Sequence, residues 1–362
     1  MSIFLWAEHM RVADLFCGIG SFHYAARALG HEVVFACDAD PAVRMVYEAT
    51  WGLRPWGDID GIQLDRIPDH DILCAGPPCQ AFSLIGRKRG MGDERGRLMF
   101  RVAEVLRAKR PRFFVVENVR NLIGAPLRPV FESVLQAYRD AGYKVCWHVL
   151  DCADYGIPQG RRRLFIVGSR DEEFNWEPPT ARAGPSLAEL LGQPGLRPEK
   201  PLCRTIRTQY RPNSKDKRSF AYVPLEGGGG YVLSRVDAEA LQGFPPQLLR
   251  WGGLNATRVW RALGNTIPTC LTTAVLGSLG DLGDADDGPR RRPPGEREVA
   301  HGEVPRHAEA ILDPHVPLQD DVPADEVPRG MEMEGEGVGV VLVLREQPED
   351  GPEVPRRIET LQ

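Results

Sequence analysis

A cysteine stands behind two prolines in the run Gly76-Pro77-Pro78-Cys79-Gln80, directly after the apolar stretch Asp71 to Ala75. Prolines fix φ and carry no N–H, so the Cys79 thiol is mounted on a rigid turn at a strand end, as a nucleophile requires. A structural thiol needs no such mounting. Cys17, Cys37, Cys74, Cys146, Cys152, Cys203 and Cys270 read instead as small buried hydrophobes. Glu117 closes a second apolar stretch, Phe113 to Val116, and reaches the same sheet edge as Cys79. A carboxyl in an apolar pocket has its pKa raised and can donate a proton near neutral pH. Gln159, Arg161 and Arg163 precede a third apolar stretch, Leu164 to Val167. Two positions apart, the arginines share one face if that strand begins early, and so placed they can hold a phosphate or a pyrimidine carbonyl.

A second set of residues points to a cofactor. Asp14-Leu15-Phe16-Cys17-Gly18-Ile19-Gly20 is a glycine turn between a strand and a helix, where a ligand can approach the backbone closely. Asp38 ends the next strand, at the distance from Gly18 where a carboxylate accepts hydrogen bonds from a ribose. His23 occupies the place of the third glycine in a dinucleotide fingerprint, so a pyrophosphate seat is disfavoured. S-adenosylmethionine, which has ribose and adenine but no phosphate, fits better than a nicotinamide cofactor.

The elements that must position these groups alternate. Strands are expected at Val12 to Phe16, Val33 to Cys37, Asp71 to Ala75, Phe113 to Glu117, Lys144 to Leu150 and Leu164 to Val167. Helices are expected from Ser21, as a cap, to about Leu29, from Asp40-Pro41 to about Thr50, from Gly96 to Ala108, and from Pro129 to Ala141. This is the pattern of a mostly parallel sheet covered on both faces, a Rossmann-like α/β fold. The rhythm breaks after Arg170. Residues 171 to 232 are irregular, with prolines, a basic stretch from Arg204 to Arg218, and glycines at 227 to 230. Periodicity returns near Ser234 and ends in a helix expected from Pro268 to about Leu279, which the run Gly264 to Pro268 opens with proline in its first turn. The expected organisation is a catalytic and cofactor-binding domain over 1–170, an insert over 171–232, a return to the first domain over 233–283, and a disordered acidic tail over 284–362.

Charge supports that division. Of 362 residues, the stretch 284–362 holds 20 Asp and Glu against 9 Arg and no Lys, and has eleven prolines but no Phe, Tyr, Trp or Cys. The body keeps 36 basic and 30 acidic side chains, a net charge of +6 that suits a polyanionic partner. Eight irregularly spaced cysteines make neither a zinc pattern nor a disulfide framework. With no apolar span and no leader pattern, a cytoplasmic chain with free thiols is expected.

Six runs in one order resemble the DNA (cytosine-5)-methyltransferase family of the bacterial and phage type. They are DLFCGIGSF at 14–22, GPPCQAFSLIG at 76–86, ENV at 117–119, QGRRR at 159–163, LQGFP at 241–245 and GNTIP at 264–268. The resemblance implies that Cys79 attacks C6 of cytosine, Glu117 protonates or hydrogen-bonds N3 and the exocyclic amine, and Arg163 binds O2. Arg161 would support that pocket and Gln159 its surroundings. It further implies S-adenosylmethionine held by Phe16, Gly18, Gly20 and Asp38, by Asp58 and Ile59 near the adenine, and by Pro78, Leu98 and Asn265. Asp38 stands where Glu is usual and Cys17 where a small residue is common. A base within duplex DNA must be flipped out to be reached. The loop from Gln80 to about Asp93, with Arg87 in its basic centre, looks like the element that closes over it.

The insert matches the family's target recognition domain in position, with Arg204, Arg207 and Arg211 as candidates for DNA contact. The partners implied are double-stranded DNA and a cognate restriction endonuclease, for a monomer associated with the nucleoid of a bacterial or phage-infected cell. The tRNA-methylating branch of the family shares the catalytic runs and is the nearest rival reading; a catalytically silent DNA-binding relative would have lost Cys79, Glu117 or the cofactor glycines.

Overall fold

The computed structural model describes residues 9–78, 94–171, 174–208 and 221–280. Cys79, Gln80, Arg87 and the rest of the expected closing loop, together with Arg211 and the acidic tail, lie outside the described residues.

Six strands form the central sheet: β1 (Arg11–Leu15), β2 (Glu32–Cys37), β3 (Ile72–Ala75), β4 (Phe113–Val119), β5 (Lys144–Asp151) and β7 (Arg162–Ser169), in the order β2-β1-β3-β4-β7-β5. The first four run parallel, whereas β7 runs antiparallel to both β4 and β5. Alternate residues divide the core. Val12, Ile72, Cys74, Val115, Phe165 and Val167 enter one apolar cluster, and their neighbours Ala13, Leu73, Ala75, Val116, Leu164 and Ile166 enter another. Both faces must therefore be covered, which is why the strands read as unbroken apolar runs.

The covering helices are α1 (Ser21–Ala28), α2 (Pro41–Trp51), α3 (Glu94–Lys109), α4 (Arg128–Asp140) and α8 (Thr269–Gly280). Asp40 caps α2 as expected, accepting a bond from the Ala42 N–H at 2.9 Å, with Pro41 at the first helical position. Ser21 does not cap α1. The cap is Gly20 in a left-handed conformation, and the Ser21 hydroxyl meets the Thr272 hydroxyl of α8 at 3.1 Å instead. The last helix, expected from Pro268 to about Leu279, appears as α8, whereas the residues before Pro268 end another helix. Gly264 and Asn265 close α7 (Ala256–Asn265), Thr266 is its C-cap, and α8 begins after Pro268.

Residues 171–232 carry short pieces: β8 (Cys203–Arg204), which pairs with β6 (Gln159–Gly160) from the preceding stretch, α5 (Leu187–Leu190), and β9 (Tyr222–Pro224) paired with β10 (Gly230–Val232). Then α6 (Arg235–Leu241) leads to α7. Among the described residues no helix is long and apolar enough to cross a membrane.

Candidate active site

The carboxyl ends of β1, β3 and β4, the start of β7, and the junction of α7 with α8 surround a cavity of about 400 Å³. Gly76, Pro77 and Pro78 line it, so the turn that precedes Cys79 in the chain belongs to its wall. That turn is fastened from two sides. The Gly76 N–H donates to the Leu15 carbonyl at 3.2 Å, and the Asn118 side-chain amide donates to the Pro77 carbonyl at 3.2 Å.

Glu117 and Arg163 meet in the same cavity. In the antiparallel register Glu117 faces Phe165 and Val119 faces Arg163, so Glu117 and Arg163 are diagonal neighbours on one face. Arg163 Nε lies 2.9 Å from Glu117 Oε1, with the side chains 14% and 10% exposed. Burial pushes the Glu117 carboxyl above its ordinary range, and the charges of Arg163 and Arg161 pull it partly back. An acid so placed changes protonation state easily and can donate to a base nitrogen.

Arg161 lies behind the cavity. Its guanidinium is 1% exposed as a residue and donates to the carbonyls of Ile206 at 2.6 Å, Gly264 at 2.9 Å and Thr266 at 2.6 Å. It ties the chain at Ile206 to the α7–α8 junction and does not line the cavity. Gln159, expected in the surroundings of the catalytic pocket, is fully buried; it donates to the Leu241 carbonyl at 2.6 Å and accepts from the Ile206 N–H at 2.9 Å. Arg204 and Arg207 are exposed on the insert and do not line the cavity.

At the other end of the cavity Phe16 holds φ at 56°, an unfavourable value for a bulky side chain that its surroundings must enforce. Gly18 follows at φ 57°, and a side chain there would meet only the Phe16 carbonyl oxygen at 4.0 Å. The turn thus leaves open backbone beside an aromatic ring. Asp38 receives the Gly18 N–H at 2.9 Å on one oxygen and the Asp40 N–H at 2.9 Å on the other. Burial raises its pKa and these amides oppose the rise, while each oxygen keeps a further lone pair to accept a hydroxyl. Asp58, Ile59, Leu98 and Asn265 also line the cavity. The arrangement can hold a nucleoside, its ring on Phe16 and its sugar on Asp38.

Gly20, expected at the cofactor, does not line the cavity. A Cβ there would strike the Trp51 indole, whose Nε1 donates to the Ile19 carbonyl at 3.0 Å. Its work is to let α2 pack against the turn. Sequence reasoning missed Asp60, Arg97 and Arg261 in the lining, and it missed Asp14. Asp14 is 1% exposed with neither carboxyl oxygen hydrogen-bonded, and burial, followed by the charge of Asp38, holds its pKa well above the ordinary range. Its position at the end of an apolar strand, directly before the glycine turn, was the available signal.

Comparison with known proteins adds a family. The model of the C-5 cytosine-specific DNA methylase family matches residues 10–221. The type II methyltransferase M.DsaV of Dactylococcopsis salina is 30% identical over 301 residues, covering 74% of this chain and 85% of that protein. M.NgoBI of Neisseria gonorrhoeae is 43% identical over 182 residues, which is half of this chain and 57% of its own length. Among solved structures, the Dnmt2 methyltransferase of S. pombe superposes with a TM-score of 0.59 at 20% identity, over 76% of this chain and all of that one. At that identity the likeness speaks for the fold.

Proposed function

The chain belongs to the C-5 cytosine-specific DNA methylase family, and we propose on that premise that its cavity methylates C5 of a cytosine flipped out of a short duplex DNA sequence. As a family member it is a DNA cytosine-5-methyltransferase. The observation that carries the detailed reading is that one cavity joins an acid–arginine pair, Glu117 and Arg163, to a nucleoside seat at Phe16, Gly18 and Asp38.

S-adenosylmethionine fits that seat, because Phe16 offers a ring face, Gly18 an open backbone and Asp38 two oxygens with spare lone pairs, and nothing there calls for a phosphate. When bound it supplies an electrophilic methyl group. Asp38 would take the ribose, Asp58 and Ile59 the adenine side, and Leu98, Pro78 and Asn265 the remaining wall.

C5 of cytosine is a poor nucleophile until C6 carries an adduct. The Cys79 thiolate forms the bond to C6, and the electron pair displaced from the C5–C6 double bond is available at C5 once N3 is engaged. Glu117 engages N3 as a donor in its protonated form, which its raised pKa makes accessible. Arg163, released from its pair, holds O2. After methyl transfer the C5 proton leaves, the C6–S bond breaks, and Cys79 returns to the thiolate.

Residues 171–232 act as the target recognition segment on the domain made by 1–170 and 233–283, with Arg204, Arg207 and Arg211 toward DNA and Gln80 and Arg87 over the flipped base. The enzyme works as a cytoplasmic, nucleoid-associated monomer, paired with a restriction endonuclease of the same sequence specificity. A duplex carrying 5-fluorocytosine tests the covalent step, since fluorine at C5 cannot leave as a proton. The expected result is a denaturation-resistant protein–DNA complex that requires both S-adenosylmethionine and Cys79. A complex that forms equally with Cys79→Ser would refute the assignment.

A further inference from the structure

Besides Glu117 and Arg163, the cavity wall holds a second ion pair among the described residues. Arg97, near the start of α3, places Nη1 at 2.5 Å from Asp60 Oδ2, and both residues line the cavity. One turn further along α3, Arg101 donates from Nη2 to the carbonyls of Ile59 at 3.3 Å and Ile62 at 2.7 Å, while its Nη1 is held by Glu104 at 2.6 Å.

These two arginines grip a segment with little structure of its own. Ile59–Gly61 is a single turn of 3₁₀ helix, started by the Asp60 N–H bonding to Asp58 Oδ1 at 3.1 Å. So short a turn does not fix its own position. The buried Ile59 side chain sets its depth, and the arginines of α3 set its distance from the opposite wall, where Leu98 stands.

We propose that Asp60 and Arg97 form a clamp, seconded by Arg101, that holds the Asp58–Ile59 wall at the spacing from α3 that the cofactor's adenine requires. The role is one of positioning: Asp60 and Arg97 act through the wall they hold together. The proposal rests on the reading of this wall as the adenine side of the cofactor seat. The Arg97 and Asp60 side chains are 58% and 26% exposed, which places the pair among salt-sensitive surface interactions of modest strength.

The test uses the full chain with Arg97→Ala, Asp60→Ala, the double variant and Arg97→Lys. Amide hydrogen exchange of residues 58–62 without ligand reads the clamp itself. Equilibrium titration with S-adenosylmethionine reads its consequence. Each alanine variant is expected to exchange faster at 59–62 and to bind the cofactor about threefold to fivefold more weakly, the factor that a pair of this exposure supports. The double variant should be no weaker than the single ones, Arg97→Lys should recover part of the loss, and KM for the cofactor should rise by more than kcat falls. Raising salt should bring wild-type affinity toward that of the variants. Unchanged exchange and affinity in both single variants, or losses that simply add in the double variant, would overturn the clamp. A wild-type chain that binds no S-adenosylmethionine would instead overturn the reading of the seat, and the exchange data would still decide whether the clamp exists.

Discussion

Replacing Arg163 by alanine removes the only cation paired with Glu117 among the described residues and exposes how the site holds its acid. The pair is 2.9 Å apart with both side chains at least 86% buried, so it belongs to the regime in which removing one partner strands a charge in a poorly hydrated place. Such a loss costs about 3 kcal/mol of folding stability when the remaining group stays charged. Glu117 has an escape, because it can take up a proton. Its folded pKa is already above its unfolded value, so its contribution to stability is full below the ordinary carboxylate range and is lost as pH rises through the folded value. Without Arg163 the folded value moves higher still. The stability gap between Arg163→Ala and wild type is therefore small near pH 5 and grows toward pH 8. Urea denaturation at several pH values measures that gap directly. In a Glu117→Gln background the same arginine substitution should cost clearly less and lose its pH dependence. A gap that is flat with pH, or unaffected by Glu117→Gln, would refute the coupling on which the catalytic assignment relies.

Three further outcomes follow from neighbouring groups. Asp14→Asn keeps the shape of a buried carboxyl but cannot ionise, so its stability relative to wild type should improve steadily as pH rises above the unfolded carboxylate value of about 4; denaturation curves between pH 4 and pH 8 that stay parallel would contradict this. Arg161→Lys should not rescue Arg161→Ala, because an ammonium cannot span three separate carbonyls, and each variant should cost about 2–3 kcal/mol in denaturant unfolding. Gly264→Ala would bring a methyl group to 2.4 Å from the backbone of Arg207 and Thr208, so it should cost about 1–3 kcal/mol and displace the insert, seen as altered proteolysis near Arg207.

Much of this architecture was legible because each strand is buried on both faces and so stands out as an apolar run. The six strands appear within about two residues of their expected ends, and Asp40-Pro41 marks its helix correctly. Strand direction was not legible. Residues that precede a parallel strand lie at the amino edge of the sheet, away from Glu117, and nothing in QGRRR announces that β7 runs the other way. That reversal is what brings Arg163 to the acid.

Side-chain direction was equally hidden. The two-residue spacing of Arg161 and Arg163 suggested similar exposure, yet one is sunk among carbonyls and the other lines the cavity. Gly18 and Gly20 look alike in sequence, and only the position of Trp51 separates the open glycine from the packed one. Asp60 and Arg97 are 37 positions apart and carry no motif, so their meeting depends wholly on the packing of α3 against the turn.

The most direct test of the central claim is base-resolution mapping of 5-methylcytosine in DNA from a methylation-deficient bacterial host that expresses this chain, alongside the Cys79→Ser variant. Methylation is expected at one short sequence in the first culture and nowhere in the second. Methylation that persists without Cys79, or a soluble chain that leaves the DNA unmodified while methylating tRNA, would contradict that claim.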